Sequence, residues 1–266
     1  SKRKKLADIR ERASNDDRMA SEYLDDLYKI RTRVNKIINN NGMKTILITS
    51  SIPGEGKSTF AYNFALAMAE QDKKVILVDC DFRRPSMINL LPEKSGNVYL
   101  NDVLEEKAEL SDAIKYYDDL KLWVLICSKP ISNASEIIGA QSMSNILEEL
   151  RENYDYIILD SAPSAIISDT LELAKSADGI IFVIRQDYSK VRHIQVGLEH
   201  IVESSKAEVI GCVLNNVKNM IMGYGYGYSY GYRYYGGSYG YSRKYKGRYR
   251  SKYKKESGEL ASEHTE

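Results

Sequence analysis

Short uninterrupted runs of Val, Ile and Leu alternate with amphipathic stretches between residues 43 and 222. Such runs are typical of strands covered on both faces, and the stretches between them have the apolar spacing of helices. The pattern predicts strands at residues 45–49, 75–79, 122–127, 156–160, 179–185 and 209–214, and helices at 57–70, 135–152 and 189–205. This alternation predicts an α/β domain, in which helices cover both faces of a mostly parallel sheet.

The segment before this domain has a different pattern. Residues 1–42 begin with a basic cluster at positions 2–5 and continue as a predicted helix. Residues 39–42 (NNNG) should end this helix, because Asn and Gly tolerate left-handed turns. The apolar positions that recur at helical spacing are Met19, Tyr23, Leu24, Leu27, Ile30, Val34, Ile37 and Ile38. Two roles fit this apolar face: packing on the chain's own domain, or contact with a second subunit.

The segment after the domain, residues 223–266, is a basic tail rich in Tyr and Gly. It carries twelve of the 21 tyrosines, and nine Lys and Arg against four Glu give it a net charge of +5. Since the whole chain has a net charge of +1, residues 1–222 carry −4. No branched aliphatic residue between Met222 and Leu260 could build a core, so the tail is predicted to be disordered.

Composition excludes several classes of protein. The three cysteines, Cys80, Cys127 and Cys212, form no close pair, which argues against a disulfide scaffold or a zinc ribbon and suits a reducing cytoplasm. We expect all three in the core. No apolar run approaches the ~20 residues that span a bilayer, and no signal peptide opens the chain, so neither a membrane span nor secretion is expected.

A phosphate-binding loop is predicted after the first strand. Residues 50–59 read SSIPGEGKST and lead into a helix. A P-loop surrounds phosphates with backbone N–H groups and needs glycine where the backbone approaches them, which Gly54 and Gly56 satisfy. Lys57 should reach the β- and γ-phosphates. The loop departs from the pattern G-x-x-x-x-G-K-[ST], because Ser51 stands at the first glycine.

The two residues after Lys57 are also predicted to bind the metal ion and the nucleotide. Ser58 is predicted to ligate Mg²⁺, and Thr59 to contact the α-phosphate. Glu55 is predicted either to contact a neighbouring subunit or to face water.

Three acidic side chains end predicted strands. Asp79 and Asp81 close the second strand, and Asp160 closes the strand that reads IILD. Because parallel strands bring their carboxyl ends to one edge of a sheet, these acids should lie near the P-loop. There they could hold Mg²⁺ or its waters and accept a proton from a hydroxyl group.

Together these motifs resemble a known family. SSIPGEGKS, VDCDFRRP and IILDSAP look like the Walker A, A′ and B motifs of the bacterial tyrosine kinases, P-loop enzymes of capsule and exopolysaccharide synthesis that end in tyrosine clusters. SNASE at 132–136 and GCVLNNV at 211–217 are similar to that family too. The resemblance implies a P-loop NTPase-like fold and a protein-tyrosine kinase that uses ATP and Mg²⁺.

The resemblance also implies roles for individual residues. Lys57, Asp79 and Asp81 would be catalytic, with Asp79 taking the tyrosine proton, and Asn215 would meet the adenine. The implied magnesium ligands are Ser58, Asp79, Asp81 and Asp160. The implied nucleotide-binding residues are Pro53, Gly54, Glu55, Gly56, Lys57, Ser58, Thr59 and Asn215. The implied autophosphorylation sites are Tyr224, Tyr226, Tyr228, Tyr230, Tyr232, Tyr234, Tyr235, Tyr239, Tyr241, Tyr245, Tyr249 and Tyr253.

Partners follow from the same resemblance. The family forms rings through a helix with Glu-x-x-Arg-x-x-Arg, and the best match here is Asp25-x-x-Tyr28-x-x-Arg31. The resemblance further implies a membrane-anchored activator or fused transmembrane modulator, a tyrosine phosphatase, and polysaccharide-synthesis enzymes as substrates. The kinase would then be cytoplasmic and recruited to the inner face of the cell membrane. No nucleic-acid partner is expected.

Two other functions are weighed against the kinase. Partitioning and cell-division ATPases share the ancestral fold but carry a signature lysine at the position of Ile52, and they lack a Tyr/Gly tail. An RNA-binding module would use the tail's tyrosines and basic residues for stacking, but it leaves the three strand-end acids without a role.

Overall fold

The computed structural model describes residues 6–91, 98–139 and 141–217. Predictions for the tail at 223–266 lie outside the described residues. The helices are α1 (Leu6–Ser14), α2 (Arg18–Asn41), α3 (Lys57–Ala69), α4 (Leu100–Leu104), α5 (Leu110–Ala113), α6 (Ala134–Ile138), α7 (Gln141–Asn153), α8 (Asp169–Lys175) and α9 (Val191–Ser204). The strands are β1 (Thr45–Ser50), β2 (Val75–Asp79), β3 (Lys115–Tyr117), β4 (Leu122–Leu125), β5 (Tyr156–Asp160), β6 (Gly179–Arg185) and β7 (Glu208–Asn215). Short 3₁₀ turns lie at Met87–Asn89 and Asp118–Leu120.

The strands form one sheet in the order β3-β4-β2-β5-β1-β6-β7. All neighbours are parallel except β3, which runs antiparallel to β4 at the edge. In the centre, Asp79 of β2 pairs with Asp160 of β5, and Ile48 of β1 pairs with the same Asp160. The predicted mostly parallel sheet is confirmed, and its register brings the strand-end acids beside the loop that follows β1.

Apolar side chains cover both faces of this sheet, as predicted. On one face, α2 and α3 pack through side chains such as Leu27 and Phe64, both almost fully buried. On the other face, Leu147 of α7 and Ile201 of α9 lie in a second buried cluster with Phe182 of β6. Because β1, β2 and β5 are buried on both faces, their runs of Val, Ile and Leu are the expected sequence for central strands.

The N-terminal segment contains two helices where one was predicted. Between α1 and α2, Asp16 adopts a left-handed conformation with φ of 60°, and the Asp17 carboxylate caps α2 by accepting the N–H of Ala20 at 3.1 Å. Gly42, with φ of 62°, ends α2 as predicted. Met19 was expected on the apolar face but is 62% exposed. The apolar side of α2 is turned toward α3 of its own domain.

Other predictions needed correction where elements are short or lie at an edge. The helix predicted at 135–152 is divided into α6 and α7, and the antiparallel strand β3 was not predicted. Cys80 and Cys127 are buried as expected, but Cys212 is exposed, on the same face of β7 as the exposed Leu214. None of the described helices combines the length and the apolar composition that a membrane span requires.

Asp178 stabilises the start of the central strands, and its contacts yield a pH-dependent prediction. Its carboxylate accepts the N–H groups of Lys44 at 2.7 Å and Thr45 at 2.8 Å, and both Nη atoms of Arg151 at 3.0 Å. Burial alone would raise the pKa of Asp178, but the hydrogen bonds from Arg151, Thr45 and Lys44 outweigh it and hold the pKa below the ordinary 3.8.

We expect Asp178→Asn to lower the free energy of unfolding by about 2 kcal/mol at pH 7, since hydrogen bonds to a charged group are lost. A depressed carboxyl pKa stabilises the fold above pH 3.8 and loses this contribution as the pH falls through the folded-state value. The difference between the variants should therefore shrink below pH 4, as measured by urea unfolding. The exposed Asp26→Asn serves as control, and an equal difference at pH 3 and pH 7 would contradict the assignment.

Candidate nucleotide and phosphate site

The loop between β1 and α3 has the backbone conformation of an anion-binding turn. Gly54 and Gly56 have φ of 89° and 92°, a region that side chains with a Cβ rarely adopt. A Cβ on Gly54 would lie 2.5 Å from the Tyr188 hydroxyl, and one on Gly56 would lie 2.2 Å from the Asn215 amide nitrogen. Gly56 is also the N-terminal cap of α3 and has no side chain to cover the first N–H groups of that helix. These groups are suited to bind phosphate oxygens.

The Lys57 ammonium lies among the strand-end acids. Its Nζ is 2.8 Å from Oδ2 of Asp81 and 3.9 Å from Oδ1 of Asp160, and the side chain is largely buried. Burial alone would lower the pKa of Lys57, but the Asp160 and Asp81 carboxylates outweigh it and raise the pKa above its ordinary value. Lys57 is therefore a buried positive charge.

Asp79 is buried as deeply as Asp160. It is fully buried and accepts backbone N–H groups from Asp81 at 3.3 Å, Ser86 at 3.2 Å and Met87 at 3.0 Å. Burial, followed by the negative charge of Asp160, raises the pKa of Asp79 to about 8. Three carboxyl groups around one ammonium thus leave an excess of negative charge, and protonation of Asp79 relieves part of it.

This excess charge fits a magnesium site completed by other ligands. In the described part of the chain, no group of three or more His, Cys, Asp or Glu side chains is arranged to hold a metal ion by itself. Mg²⁺ usually takes only one or two protein carboxylates and completes its octahedron with water and phosphate oxygens. The predicted ligands Ser58, Asp79, Asp81 and Asp160 lie around Lys57, and their role as ligands stays a prediction.

Glu55 has neither of the two environments expected for it. Its carboxylate is fully buried and accepts the Ser51 hydroxyl at 2.8 Å, the Ile52 N–H at 2.8 Å and the Ser189 hydroxyl at 2.6 Å. The N–H of Arg185 completes this set at 3.4 Å. Ser51, the departure from the P-loop pattern, thus binds the side chain four residues further along the same loop.

The other predicted nucleotide residues lie on or beside the loop. Pro53 is exposed at its tip, and Ser58 and Thr59 lie in the first turn of α3, where they are half-buried. Asn215, at the end of β7, donates from Nδ2 to the carbonyl oxygen of Glu55 at 2.8 Å. The adenine contact of Asn215 stays a prediction.

Sequence reasoning missed an ion pair beside the acids. Arg83 donates from Nε to Oδ2 of Asp169 at 2.7 Å and from Nη2 to Oδ1 at 3.1 Å. The hydroxyl of Ser135 donates to the same carboxylate at 2.5 Å. This cluster joins the segment after β2 to α6 and α8. Arg83 and Ser135 lie in the motifs VDCDFRRP and SNASE, but nothing in the sequence distinguishes Asp169.

The contacts made by the end of β6 and by the segment after it were also missed. Arg185, Tyr188 and Ser189 contact the P-loop, with Arg185 Nη1 3.2 Å from the Gly54 carbonyl and the Tyr188 hydroxyl 3.2 Å from the Pro53 carbonyl. The available signal was topological, because this segment follows the carboxyl end of a strand adjacent to β1.

Comparisons with known proteins agree with the fold. A family model described as an AAA domain, AAA_31, matches residues 43–208. Tyrosine-protein kinase YwqD of Bacillus subtilis (strain 168) is 31% identical over 198 residues, which are 74% of this chain and 83% of that protein. The succinoglycan biosynthesis transport protein ExoP of Rhizobium meliloti (strain 1021) is 30% identical over 175 residues, 65% of this chain and 22% of that protein. The solved kinase domain of Escherichia coli tyrosine kinase ETK has a TM-score of 0.69 at 25% identity and covers 76% of this chain and 79% of that chain.

Proposed function

The chain belongs to the bacterial tyrosine-protein kinases, and we propose that it phosphorylates tyrosines of its own C-terminal tail with Mg·ATP, one subunit acting on the tail of another. The observation that carries this proposal is the buried Lys57 ammonium among the carboxyl groups of Asp79, Asp81 and Asp160, directly after a P-loop. The partitioning-type ATPase is less well supported, since Ile52 stands where its signature lysine would be.

Phosphate binding in this proposal depends on position and charge. The N–H groups of the loop and of the first turn of α3 hold the phosphates, and Lys57 neutralises charge on the transferred group. As the Lys57 ammonium turns to the phosphates, the carboxylate of Asp81 is released. Mg²⁺ supplies further charge neutralisation when bound, held directly or through water by Ser58, Asp79, Asp81 and Asp160.

Asp79 is proposed to accept the proton of the tyrosine hydroxyl. Burial and Asp160 raise the pKa of Asp79 to about 8, so its carboxylate, once ionised, is a stronger base than that of an ordinary aspartate. A positive ion bound beside Asp79 would favour this ionised form. Asp81, which is slightly more exposed, is the second candidate. Either carboxylate lies at the sheet edge where a tyrosine would meet the transferred phosphate.

The proposed substrate is the tyrosine cluster at 224–253, which lies outside the described residues. Two features support it. The last described residue, Val217, follows β7 at the same sheet edge as the P-loop. The tail's net charge of +5 also favours approach to a body of charge −4.

The proposal places the kinase in capsular or exopolysaccharide synthesis, in the cytoplasm at the inner face of the membrane. The name of ExoP supports this setting. Proposed partners are a membrane-anchored activator or fused transmembrane modulator, polysaccharide-synthesis enzymes as substrates, and a tyrosine phosphatase. Each phosphate adds about −1.5 to −2 charges, so roughly three would cancel the tail's positive charge and the phosphatase would restore it.

The experiment that tests the proposed function is incubation of the chain with labelled ATP and Mg²⁺, followed by phosphoamino-acid analysis and peptide mapping. We expect phosphotyrosine in peptides from 223–266. Release of labelled phosphate without phosphotyrosine would favour the ATPase and overturn the proposal.

Self-association through α2 is proposed on the motif Asp25-x-x-Tyr28-x-x-Arg31. Within one chain, Arg31 already donates from Nη1 to the Ala67 carbonyl at 2.8 Å and to Glu70 at 3.1 Å. Arg31→Ala should weaken association by about tenfold, as expected for an interface arginine. Sedimentation over a concentration series measures this.

Glu70→Gln is the matched control for the Arg31 experiment. It removes the ionic contact within the chain but leaves Arg31 able to bind a neighbour, so association should be retained. Equal losses in both variants would show that Arg31 acts only within its own chain. A monomer at all concentrations, with first-order autophosphorylation, would contradict the oligomer itself.

A further inference from the structure

Three consecutive carbonyl oxygens of the P-loop accept hydrogen bonds from side chains outside the loop. The Pro53 carbonyl accepts the Tyr188 hydroxyl at 3.2 Å, and the Gly54 carbonyl accepts Nη1 of Arg185 at 3.2 Å. The Glu55 carbonyl accepts Nδ2 of Asn215 at 2.8 Å. Arg185 ends β6, Tyr188 follows it, and Asn215 ends the adjacent strand β7, so the ends of two neighbouring strands hold the loop.

These contacts determine where the loop's N–H groups point. In a trans peptide unit, the carbonyl and the N–H point in opposite directions. Fixing the carbonyls of residues 53, 54 and 55 toward the donors therefore directs the N–H groups of residues 54, 55 and 56 to the opposite side. Successive N–H groups directed to one side form the concave site that binds phosphate oxygens.

The donors are themselves held in place. The Arg185 guanidinium lies over the Tyr188 ring, 4.6 Å from its centre. The buried Glu55 carboxylate accepts the Ser189 hydroxyl at 2.6 Å and the Arg185 N–H at 3.4 Å. The segment after β6 thus binds the loop both through loop carbonyls and through the Glu55 side chain.

We propose that Tyr188, Arg185 and Asn215 are positioning residues, which orient the P-loop peptides so that their N–H groups bind the nucleotide's phosphates. Glycine-rich backbone has high conformational freedom, and holding it before the ligand arrives lowers the entropy lost on binding. This inference rests on the proposed function, because it assumes that the loop binds phosphates. It assigns Asn215 to the loop backbone rather than to adenine.

The test uses two probes that share phosphates but differ in the base: Mg·ATP and inorganic tripolyphosphate. Binding to the whole chain is measured by calorimetry for Tyr188→Phe, Arg185→Met and Asn215→Ala. Each variant should bind both probes about two- to tenfold more weakly, the range for loss of one hydrogen bond. The loss should appear in KM for ATP more than in kcat, with an unchanged melting temperature. Arg185→Lys, which can still donate to the Gly54 carbonyl, should restore part of the affinity.

The matched controls are Tyr116→Phe, on the edge strand β3, and Arg33→Met, on α2. Both side chains are exposed, and both variants should bind the two probes normally. Weaker ATP binding with normal tripolyphosphate binding would mean that these side chains contact the base, and it would overturn the proposal. Normal binding of both probes in all three variants would also overturn it. If the unmodified chain binds neither probe, the phosphate site itself is refuted, and this inference with it.

Discussion

Lys57→Met should reduce the rate of tyrosine phosphorylation by about 10³-fold or more, because it removes the charge that stabilises the transferred phosphoryl group. The buried ammonium contacts Asp81 at 2.8 Å and lies at the start of α3, where the phosphates are proposed to bind. The measurement is the initial rate of phosphotyrosine formation at saturating Mg·ATP. Near-normal activity in Lys57→Met would contradict the site assignment.

Two controls distinguish the loss of the Lys57 charge from a loss of the folded structure. Lys73→Met removes an exposed lysine from the turn between α3 and β2 and should leave the rate unchanged. Because Lys57→Met also leaves Asp81 and Asp160 without their buried cation, its melting temperature must be measured beside its rate. A folded, inactive variant is the expected outcome.

Replacing all twelve tail tyrosines with Phe should abolish most autophosphorylation while ATP binding is retained. The substitution keeps the tail's length and its +5 charge, so a loss of autophosphorylation would be due to the missing acceptor hydroxyls alone. Deletion of 223–266 should give the same loss, but it also removes the charge. Incorporation of label, with mass spectrometry of the peptides, measures both variants.

The companion test of the tail is transfer between chains. Lys57→Met with an intact tail, mixed with the tail-deleted but catalytically intact chain, should become phosphorylated if one subunit acts on another. Phosphate found mainly on tyrosines of residues 1–217 would contradict the tail as substrate. Tail phosphorylation that never occurs in this mixture would contradict transfer between subunits.

Much of the fold and of the candidate site could be predicted from the sequence. Both depend on the local pattern of apolar residues and on the rule that parallel strands end at the same edge of a sheet. The runs that became β1, β2 and β5 are mostly apolar, and the acids that close β2 and β5 had to meet at one sheet edge. The sequence therefore predicted that Asp79, Asp160 and Lys57 lie close together.

The rest depended on contacts between segments distant in sequence. The burial of Glu55 requires Ser189 and Arg185 from a segment about 130 residues further along the chain. The break between α1 and α2 depends on one left-handed residue, Asp16, and the three-residue strand β3 reads KYY, too short and polar for a periodic signal. Cys212 lies on the face of β7 that is exposed, and the apolar sequence of that strand does not indicate which face is covered.

The helix α3 connects the P-loop with the N-terminal helices. Thirteen residues make a rod about 20 Å long, with the P-loop at one end and Glu70 at the other. Glu70 forms ion pairs with Arg10 and Arg31 of the N-terminal helices. A neighbouring subunit that draws Arg31 to itself would therefore remove one of these ion pairs from the far end of the helix whose first turn is proposed to bind the phosphates. Association of subunits and binding of nucleotide would then affect each other. Dilution of the oligomer should therefore change the rate at which bound nucleotide dissociates.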